Sequence, residues 1–171
     1  PIDLTNPVIV NEGGLRITAF AVQHEPVEPA LGYRFDYKGR SLVISGDTRY
    51  SKNLIKYSQD ADVLFHEGQA NHILKLMEDG ANDVGRPMLG TIMKDILTYH
   101  TTPEEAAQAA NLANVDHLMF YHLIPAPRNE LMERMFFRGV NAIRKNWSSA
   151  EDGTMVVLPL DSDEIKITKI N

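Results

Sequence analysis

Hydrophobic and polar residues alternate in several short stretches of the chain. Residues 15–22 (LRITAFAV) and 32–37 (GYRFDY) are rich in β-branched and aromatic side chains, which predicts two strands. The turn residues at 38–40 (KGR) lead into SLVIS at 41–45, so this part of the pattern predicts a hairpin. ADVLFHE at 61–67 predicts a further short strand that runs into polar residues.

Helical patterns lie between and after these strands. Residues 70–98 are predicted to be mostly helical, with a break at 79–87 where glycine, asparagine and proline cluster. At 101–113 the sequence TTPEEAAQAANLA combines an N-cap candidate, Thr102, with a following proline and two glutamates, which is typical of a helix start. Residues 129–147 predict one long amphipathic helix with a single glycine inside it.

Strand patterns return in the last third of the chain. HLMFYH at 117–122 predicts a strand, and residues 154–160 and 164–170 predict a final hairpin. Strands and helices alternate through the middle of the sequence, which favours an α/β fold with mixed strand pairing. Because no repeat or linker divides the sequence, we expect residues 1–171 to form a single domain.

Composition excludes several classes of function. The formal net charge of -6 argues against a protein that holds nucleic acid mainly through a basic surface. The absence of cysteine excludes disulfides, thiolate metal ligands and a thiol nucleophile. No apolar run approaches the roughly 20 residues that span a bilayer, so we expect no membrane partner. The sequence gives no indication of the compartment.

Histidines and carboxylates gather at the ends of the predicted elements. Four of the six histidines stand where a strand ends or a helix is about to begin: His24, His66, His100 and His122. Asp47 follows the strand at 41–45, and Glu67 closes the strand at 61–67. Neutral imidazole and carboxylate are the usual zinc ligands where thiolates are absent. The pattern therefore favours a metal site, although no HxH or HExxH pair is present.

Each of these residues also has a structural interpretation. Asp47 follows a glycine, and Gly-Asp is ordinary turn chemistry, so it is either a turn residue or a metal or catalytic carboxylate. A single histidine at a strand end is more often a hydrogen-bonded structural residue than a ligand. His72, on a predicted helix, and His117, at the start of a strand, are predicted to be structural or solvated.

Five motifs follow one another along the chain: HEPVEPALGYR (24–34), ISGDTRYSKNL (44–54), LFHEG (64–68), YHTTPEEAAQAA (99–110) and LMFYHLIP (118–125). In this order and spacing, over roughly residues 10–127, they resemble the C-terminal half of metallo-β-lactamase-fold hydrolases, and above all the ribonuclease Z-like branch. The resemblance implies an α/β fold, the family's αββα sandwich, of which this chain would be mainly the C-terminal half.

The resemblance also implies roles for five residues. His24, Asp47 and His122 match metal ligands of a dinuclear site, with Asp47 bridging the two ions. His100 matches a histidine that contacts the scissile phosphate and can protonate the leaving group, and Glu67 matches the acidic residue that orients it. The implied cofactors are two divalent metal ions, with zinc as the first expectation and manganese or iron as alternatives.

The match to the family has one gap. The family's other metal ligands come from an HxHxDH motif in the N-terminal half, and no HxH occurs in these 171 residues. We therefore expect the site to be incomplete without an N-terminal half or a partner chain. The three explanations are loss of that half, supply from another chain, and a degenerate relative; the missing initial methionine favours the first. We also expect an uncovered sheet face that a partner or a homo-oligomer buries.

The function that the resemblance implies is a hydrolase in which a metal-bound hydroxide attacks a phosphodiester-like substrate. Aryl sulfates, phosphotriesters and lactones are alternative substrates. A small-molecule substrate is favoured over transfer RNA, because the chain is acidic and lacks a Gly-, Lys- and Arg-rich insertion that could grip RNA. The alternative function is a non-catalytic interaction or regulatory domain with a partial metal site; the plainest interpretation is an α/β domain whose histidines are structural.

Overall fold

The structure is a computed structural model that describes residues 7–170. Its strands are β1 (Val8–Glu12), β2 (Leu15–Val22), β3 (Ala30–Tyr37), β4 (Arg40–Ile44), β5 (Val63–Gln69), β6 (His117–Ile124), β7 (Trp147–Ser149), β8 (Thr154–Val157) and β9 (Lys166–Lys169). The first seven form one sheet in chain order, and β8 and β9 form a separate hairpin.

The helices are α1 (Lys52–Tyr57), α2 (Asn71–Asp83), α3 (Pro87–Asp95), α4 (Pro103–Leu112), α5 (Glu130–Phe136) and α6 (Val140–Ile143), and a 3-10 turn covers Ile96–Thr98. The predicted break between the first two long helices is present and lies between Asp83 and Pro87. Helix α4 begins as predicted, because the Thr102 hydroxyl accepts from the Glu105 N–H while the Glu105 carboxylate accepts from the Thr102 N–H.

The seven-stranded sheet changes its pairing in the middle. Strands β1 to β4 pair antiparallel, whereas β4 to β7 run parallel to one another. Parallel neighbours need crossover connections, which the helices between them supply. The predicted α/β class with mixed pairing is therefore confirmed, and the final hairpin is confirmed as β8 and β9. Strand β1 and helix α1 were not predicted.

The prediction of one helix over 129–147 is wrong. Helix α5 ends at Phe136, and α6 begins after Gly139, whose φ of +90° is left-handed. A Cβ on Gly139 would lie 3.0 Å from a carboxylate oxygen of Glu104. The close approach and the left-handed backbone both favour glycine, and they divide the predicted helix. Trp147 then begins strand β7.

One face of the large sheet packs against helices and forms the core. Phe20, Val43, Leu64 and Phe120 lie on this face and are at most 1% exposed. Alanines of α4, such as Ala106, pack against them. Burial of apolar area of this kind is the main stabilising contribution to the fold.

The opposite face of the sheet is apolar and only partly buried. Alternation along the paired strands places Ile17, Phe35, Leu42, Ile44 and Phe65 on it, and each is of intermediate exposure. The predicted uncovered apolar face is therefore present only in part, and a partner or second copy that covers it remains a prediction. Among the helices of residues 7–170, none is long and apolar enough to cross a membrane.

Candidate active site

All five predicted site residues lie along one edge of the large sheet. His24 follows β2, Asp47 follows β4, and Glu67 and His122 lie near the ends of β5 and β6. These four strands run in the same direction, so their carboxyl ends meet at this edge. His100 reaches it from the segment directly before α4. Loops at strand ends are common places for binding and catalytic groups.

Asp47 and His122 form an open pair at the rim of the sheet. Asp47 Oδ2 lies 3.6 Å from His122 Nε2, and both side chains are 46% exposed. The turn that presents Asp47 depends on Gly46, which has a φ of +62° and whose Cβ would lie 2.3 Å from the Leu31 carbonyl oxygen. The chain thus bends at Gly46 and Asp47, and the bend places a carboxylate beside a histidine.

His122 owes its position to a β-bulge. Glu67 pairs with Tyr121 and Gly68 pairs with Leu123, which leaves His122 as the extra residue of β6. Its φ is +45°, which is unusual for a histidine. The prediction that the strand ends at His122 is wrong by two residues, because the bulge allows pairing to resume. Bulges of this kind redirect a side chain at the edge of a site.

Glu67 and His100 form a closed pair below the rim. Glu67 Oε2 lies 3.4 Å from His100 Nδ1, and the side chains are 0% and 8% exposed. The other carboxylate oxygen, Oε1, accepts from the Thr101 N–H at 2.8 Å. Oε2 and Nδ1 have no closer polar partner among the described residues. A carboxylate in this position can fix the orientation and tautomer of the imidazole.

The three histidine rings stand in a row. The ring centroids of His24 and His100 are 4.9 Å apart, and those of His100 and His122 are 5.8 Å apart. His24 Nε2 is buried and has no hydrogen-bond partner in the described part of the chain. Tyr99 packs beside His24, with ring centroids 6.0 Å apart. The structure thus brings the five predicted residues to one place.

These residues fit a divalent metal in kind but not in number. Imidazole nitrogens and a carboxylate suit zinc, and the buried, unpartnered Nε2 of His24 is an atom that an ion would satisfy. Within residues 7–170, however, no three His, Asp or Glu side chains converge closely enough to hold a metal ion. The described chain therefore offers metal-binding types of side chain without a complete set of ligands, and the roles predicted for His24, Asp47 and His122 remain predictions.

The other three histidines lie outside this cluster. His66 is one residue from Glu67 but points to the helix-covered face, where its Nδ1 lies 2.8 Å from the Glu67 carbonyl oxygen. Burial lowers the pKa of His66 below its usual 6.5. His72 contacts the Met135 carbonyl oxygen, and His117 bridges side chains next to β7, so both have the predicted structural roles.

Several residues that the sequence did not single out also belong to the site. Tyr121 lies half-buried beside Asp47 and Glu67; burial raises the pKa of its phenol, and these carboxylates raise it further. Thr48 and Thr101 are fully buried beneath the rim. The only sequence signal for the three was adjacency, because each directly neighbours a predicted site residue.

A cleft of about 480 Å³ opens beside His122. Its charged lining residues are Arg128, Glu130, Glu133, Glu151 and Asp152. Four carboxylates against one guanidinium make this cleft acidic. On the other side of the rim, Arg49 forms an ion pair with Glu25, and both side chains are about half exposed.

Comparison with known proteins gives a family and a set of relatives. The family model of the Beta-lactamase superfamily domain matches residues 1–123. Ribonuclease Z of Mycobacterium tuberculosis (strain H37Rv) is 32% identical over 113 residues, which are 66% of this chain and 37% of the relative. Ribonuclease Z of Mycobacterium avium (strain 104) is 30% identical over 122 residues, which are 71% of this chain and 40% of the relative. The chain thus spans less than half the length of these curated relatives.

Solved structures share the fold at low identity. The metallo-β-lactamase fold protein YhfI from Bacillus subtilis matches with a TM-score of 0.55 and 19% identity, over 82% of this chain and 48% of YhfI. The Zn(2+)-bound PqqB from Methylobacterium extorquens matches with a TM-score of 0.52 and 17% identity, over 85% of this chain and 47% of PqqB. These likenesses confirm the predicted metallo-β-lactamase fold and, at such identities, nothing further.

Proposed function

The chain belongs to the β-lactamase superfamily and resembles its ribonuclease Z members in sequence, and from that premise we propose that it is part of a metal-dependent hydrolase of phosphodiester-like substrates. The observation that carries the proposal is the convergence of His24, His100 and His122 with two carboxylates at one edge of the sheet. Fold alone would not support it, because one fold hosts many functions.

His24, Asp47 and His122 are the residues that would hold metal. The remaining ligands would come from an N-terminal half or a partner chain, since no three donors converge within the described residues. Two divalent ions, zinc first and manganese or iron as alternatives, would supply Lewis acidity and an activated water when bound. The half-exposed pair of Asp47 and His122 leaves room for such an ion.

His100 would donate a proton to the leaving-group oxygen. Its Nδ1 faces the buried carboxylate of Glu67, so Nε2 is the nitrogen left for the substrate. The carboxylate, itself held by the Thr101 N–H, would keep the ring in one orientation. A positioned general acid of this kind contributes about 10²–10⁴-fold to a rate.

The charges around the site support a small substrate over RNA. The cleft beside His122 carries four carboxylates and one arginine, and the whole chain has a formal net charge of -6. A phosphate polyanion binds best to a surface rich in lysine and arginine. A small phosphodiester is therefore the first proposed substrate, with aryl sulfates, phosphotriesters and lactones as alternatives.

One observation favours a second candidate, a non-catalytic interaction or regulatory domain with a partial metal site. In the part of the chain that the structure describes, the donors lie near one another, but no three of them come close enough together to hold a metal ion. The partly exposed apolar face of the sheet would then serve as the contact surface.

The experiment that separates the two candidates combines zinc counting with hydrolysis. The chain is purified together with the N-terminal half or partner chain that supplies the remaining ligands and is equilibrated with zinc. The zinc content is measured by elemental mass spectrometry, and hydrolysis of bis(p-nitrophenyl) phosphate is followed. We expect hydrolysis that falls in His100→Ala while the zinc content stays unchanged, with His72→Ala as a matched control that alters neither. A zinc-loaded chain that is no faster than His100→Ala would contradict the enzyme and support the non-catalytic domain.

A further inference from the structure

The loops that carry His24, Asp47 and His100 meet directly beneath the candidate active site. Thr101 joins the loops of His100 and Asp47 to each other and to β5. Its N–H donates to Glu67 Oε1 at 2.8 Å, and its carbonyl oxygen accepts from the Gln69 N–H at 2.8 Å. Its hydroxyl donates to the Thr48 carbonyl oxygen at 2.6 Å. Thr101 is fully buried, so these bonds are shielded from water. One residue thus ties the loop of His100 to a strand and to the loop of Asp47.

Thr48 continues the connection to the loop of His24. Its hydroxyl oxygen accepts from the Gln23 N–H at 3.1 Å, and the Arg49 N–H donates to the Gln23 carbonyl oxygen at 2.9 Å. The same hydroxyl donates to the Arg49 carbonyl oxygen at 2.7 Å. Gln23 directly precedes His24 in the chain, and Thr48 is fully buried.

From this network we infer that Thr48 and Thr101 form a clamp that fixes His24, Asp47 and His100 relative to one another. Thr48 is hydrogen-bonded to the loop of His24, and Thr101 is hydrogen-bonded to the loop of Asp47. Each threonine also directly follows a predicted site residue in the sequence. Both are positioning residues, because they act through the residues beside them. The inference rests on the proposed function, since it concerns the same site and deepens its account.

The clamp depends on the hydroxyl groups and not on side-chain size. Valine has nearly the shape of threonine but cannot donate, so Thr101→Val leaves the Thr48 carbonyl oxygen buried without its partner. Serine keeps the hydroxyl and loses only a methyl group. A pair of valine and serine variants at each position therefore separates the hydrogen bond from the packing.

The test measures amide hydrogen exchange in the metal-free chain and, separately, zinc affinity by competition with a chromophoric chelator. Thr101→Val is expected to accelerate exchange about tenfold at the amides of Gln23 and Arg49, which lie across the clamp. It is also expected to weaken zinc binding by about 10-fold, the low end of the cost of losing a direct partner of a metal ligand, because Thr101 acts on Asp47 only through Thr48. Thr101→Ser, which keeps the hydroxyl, is expected to have the exchange rates and the zinc affinity of the wild-type chain.

Thr18→Val is the matched control. Thr18 is a buried threonine of β2 that is 6% exposed, and its side chain makes no hydrogen bond to the site loops within residues 7–170. The same substitution there is expected to leave exchange at Gln23 and Arg49 and zinc affinity unchanged. If Thr101→Val does not fold, Thr48→Val takes its place, and accelerated exchange is then expected at Gln23 while the Thr101 amide stays protected.

Two results would overturn the clamp. One is unchanged exchange at Gln23 and Arg49 in the folded valine variants, and the other is equal acceleration in the Thr18→Val control. Exchange is measured without metal, so it judges the clamp even if the wild-type chain binds no zinc. A chain that binds no zinc even when it is combined with the N-terminal half or partner chain would instead overturn the proposed function, so the two failures are distinct.

Discussion

The candidate active site contains two carboxylate–histidine pairs with similar separations and opposite surroundings. Asp47 and His122 are 3.6 Å apart and each is 46% exposed, whereas Glu67 and His100 are 3.4 Å apart and at most 8% exposed. In the open pair, an ion or a water can replace the partner at little desolvation cost. In the closed pair, burial makes each polar contact stronger and its loss more costly. The same two residue types are therefore suited to binding in one place and to orientation in the other.

The backbone explains the difference between the pairs. Gly46 and His122 both have left-handed φ values, and the open pair lies on a bend after β4 and on the bulge of β6. Glu67 lies inside strand β5, and His100 directly precedes the segment that caps α4. We therefore expect changes in the open pair to alter metal binding, and changes in the closed pair to alter turnover and stability.

The largest expected effect is on turnover through the closed pair. His100→Gln removes the proton donor and is expected to lower the rate of bis(p-nitrophenyl) phosphate hydrolysis by about 10²–10⁴-fold. Zinc content measured in the same sample should stay unchanged. His72→Gln, on helix α2, is the control and should keep the wild-type rate. Loss of zinc from the His100→Gln chain would contradict the assignment of metal binding to the open pair alone.

The next effect is on metal affinity through the open pair. His122→Ala is expected to weaken zinc binding by about 100-fold or more, beyond the range for residues that only support a ligand. Chelator competition measures the change, with His117→Ala as a control on the same strand. Wild-type zinc affinity in His122→Ala would remove His122 from the metal site.

The free energy of unfolding should be lowered more by a change in the closed pair than by a change in the open pair. Glu67→Ala leaves the buried Thr101 N–H without its acceptor and is expected to lower the free energy of unfolding by about 1–3 kcal/mol. Asp47→Ala, at an exposed position, should change it by no more than about 0.5 kcal/mol. Urea unfolding of the metal-free variants measures both. Equal losses would mean that burial does not distinguish the two carboxylates.

The smallest expected effect is a pH dependence that originates next to the closed pair. Burial lowers the pKa of His66 below 6.5, so the unfolded chain binds the proton more readily. The contribution of His66 to the free energy of unfolding is therefore fully present above pH 6.5. It falls as the pH drops below 6.5, by at most about 1.4 kcal/mol per pH unit for one proton. His66→Gln should flatten this part of the urea-unfolding profile. The burial-lowered pKa of His117 acts in the same direction, so some slope should remain.

Local sequence chemistry predicted much of the fold. The bounds of β2 agree with the predicted strand at 15–22, because its apolar side chains and the hairpin after it are local signals. The start of α4 agrees for the same reason, since Thr102 and Glu105 cap it within one turn. The predicted helix at 129–147 failed because the contact between Gly139 and Glu104 joins positions far apart in sequence.

The sequence motifs singled out five residues that the structure brings together, whereas the geometry of the candidate site could not be predicted and the roles of the residues stay predictions. Motif order identified Asp47, His100 and His122, but the bulge at His122 is set by pairing with β5, which no local pattern encodes. The contrast between the two pairs depends on how deeply each lies in the packed sheet. Thr48 and Thr101 were visible only as neighbours of site residues, because the direction of a hydroxyl is decided by tertiary contacts.

If the open pair binds metal and the closed pair does not, zinc ligation depends on His122 and not on His100. Zinc X-ray absorption spectroscopy of the zinc-loaded chain tests it most directly, because the spectrum reports the number of imidazole ligands. We predict that the imidazole count per zinc, multiplied by the number of zinc ions per chain, is two, from His24 and His122. This product should fall to one in His122→Ala and remain two in His100→Ala. An imidazole lost in His100→Ala and kept in His122→Ala would contradict the account.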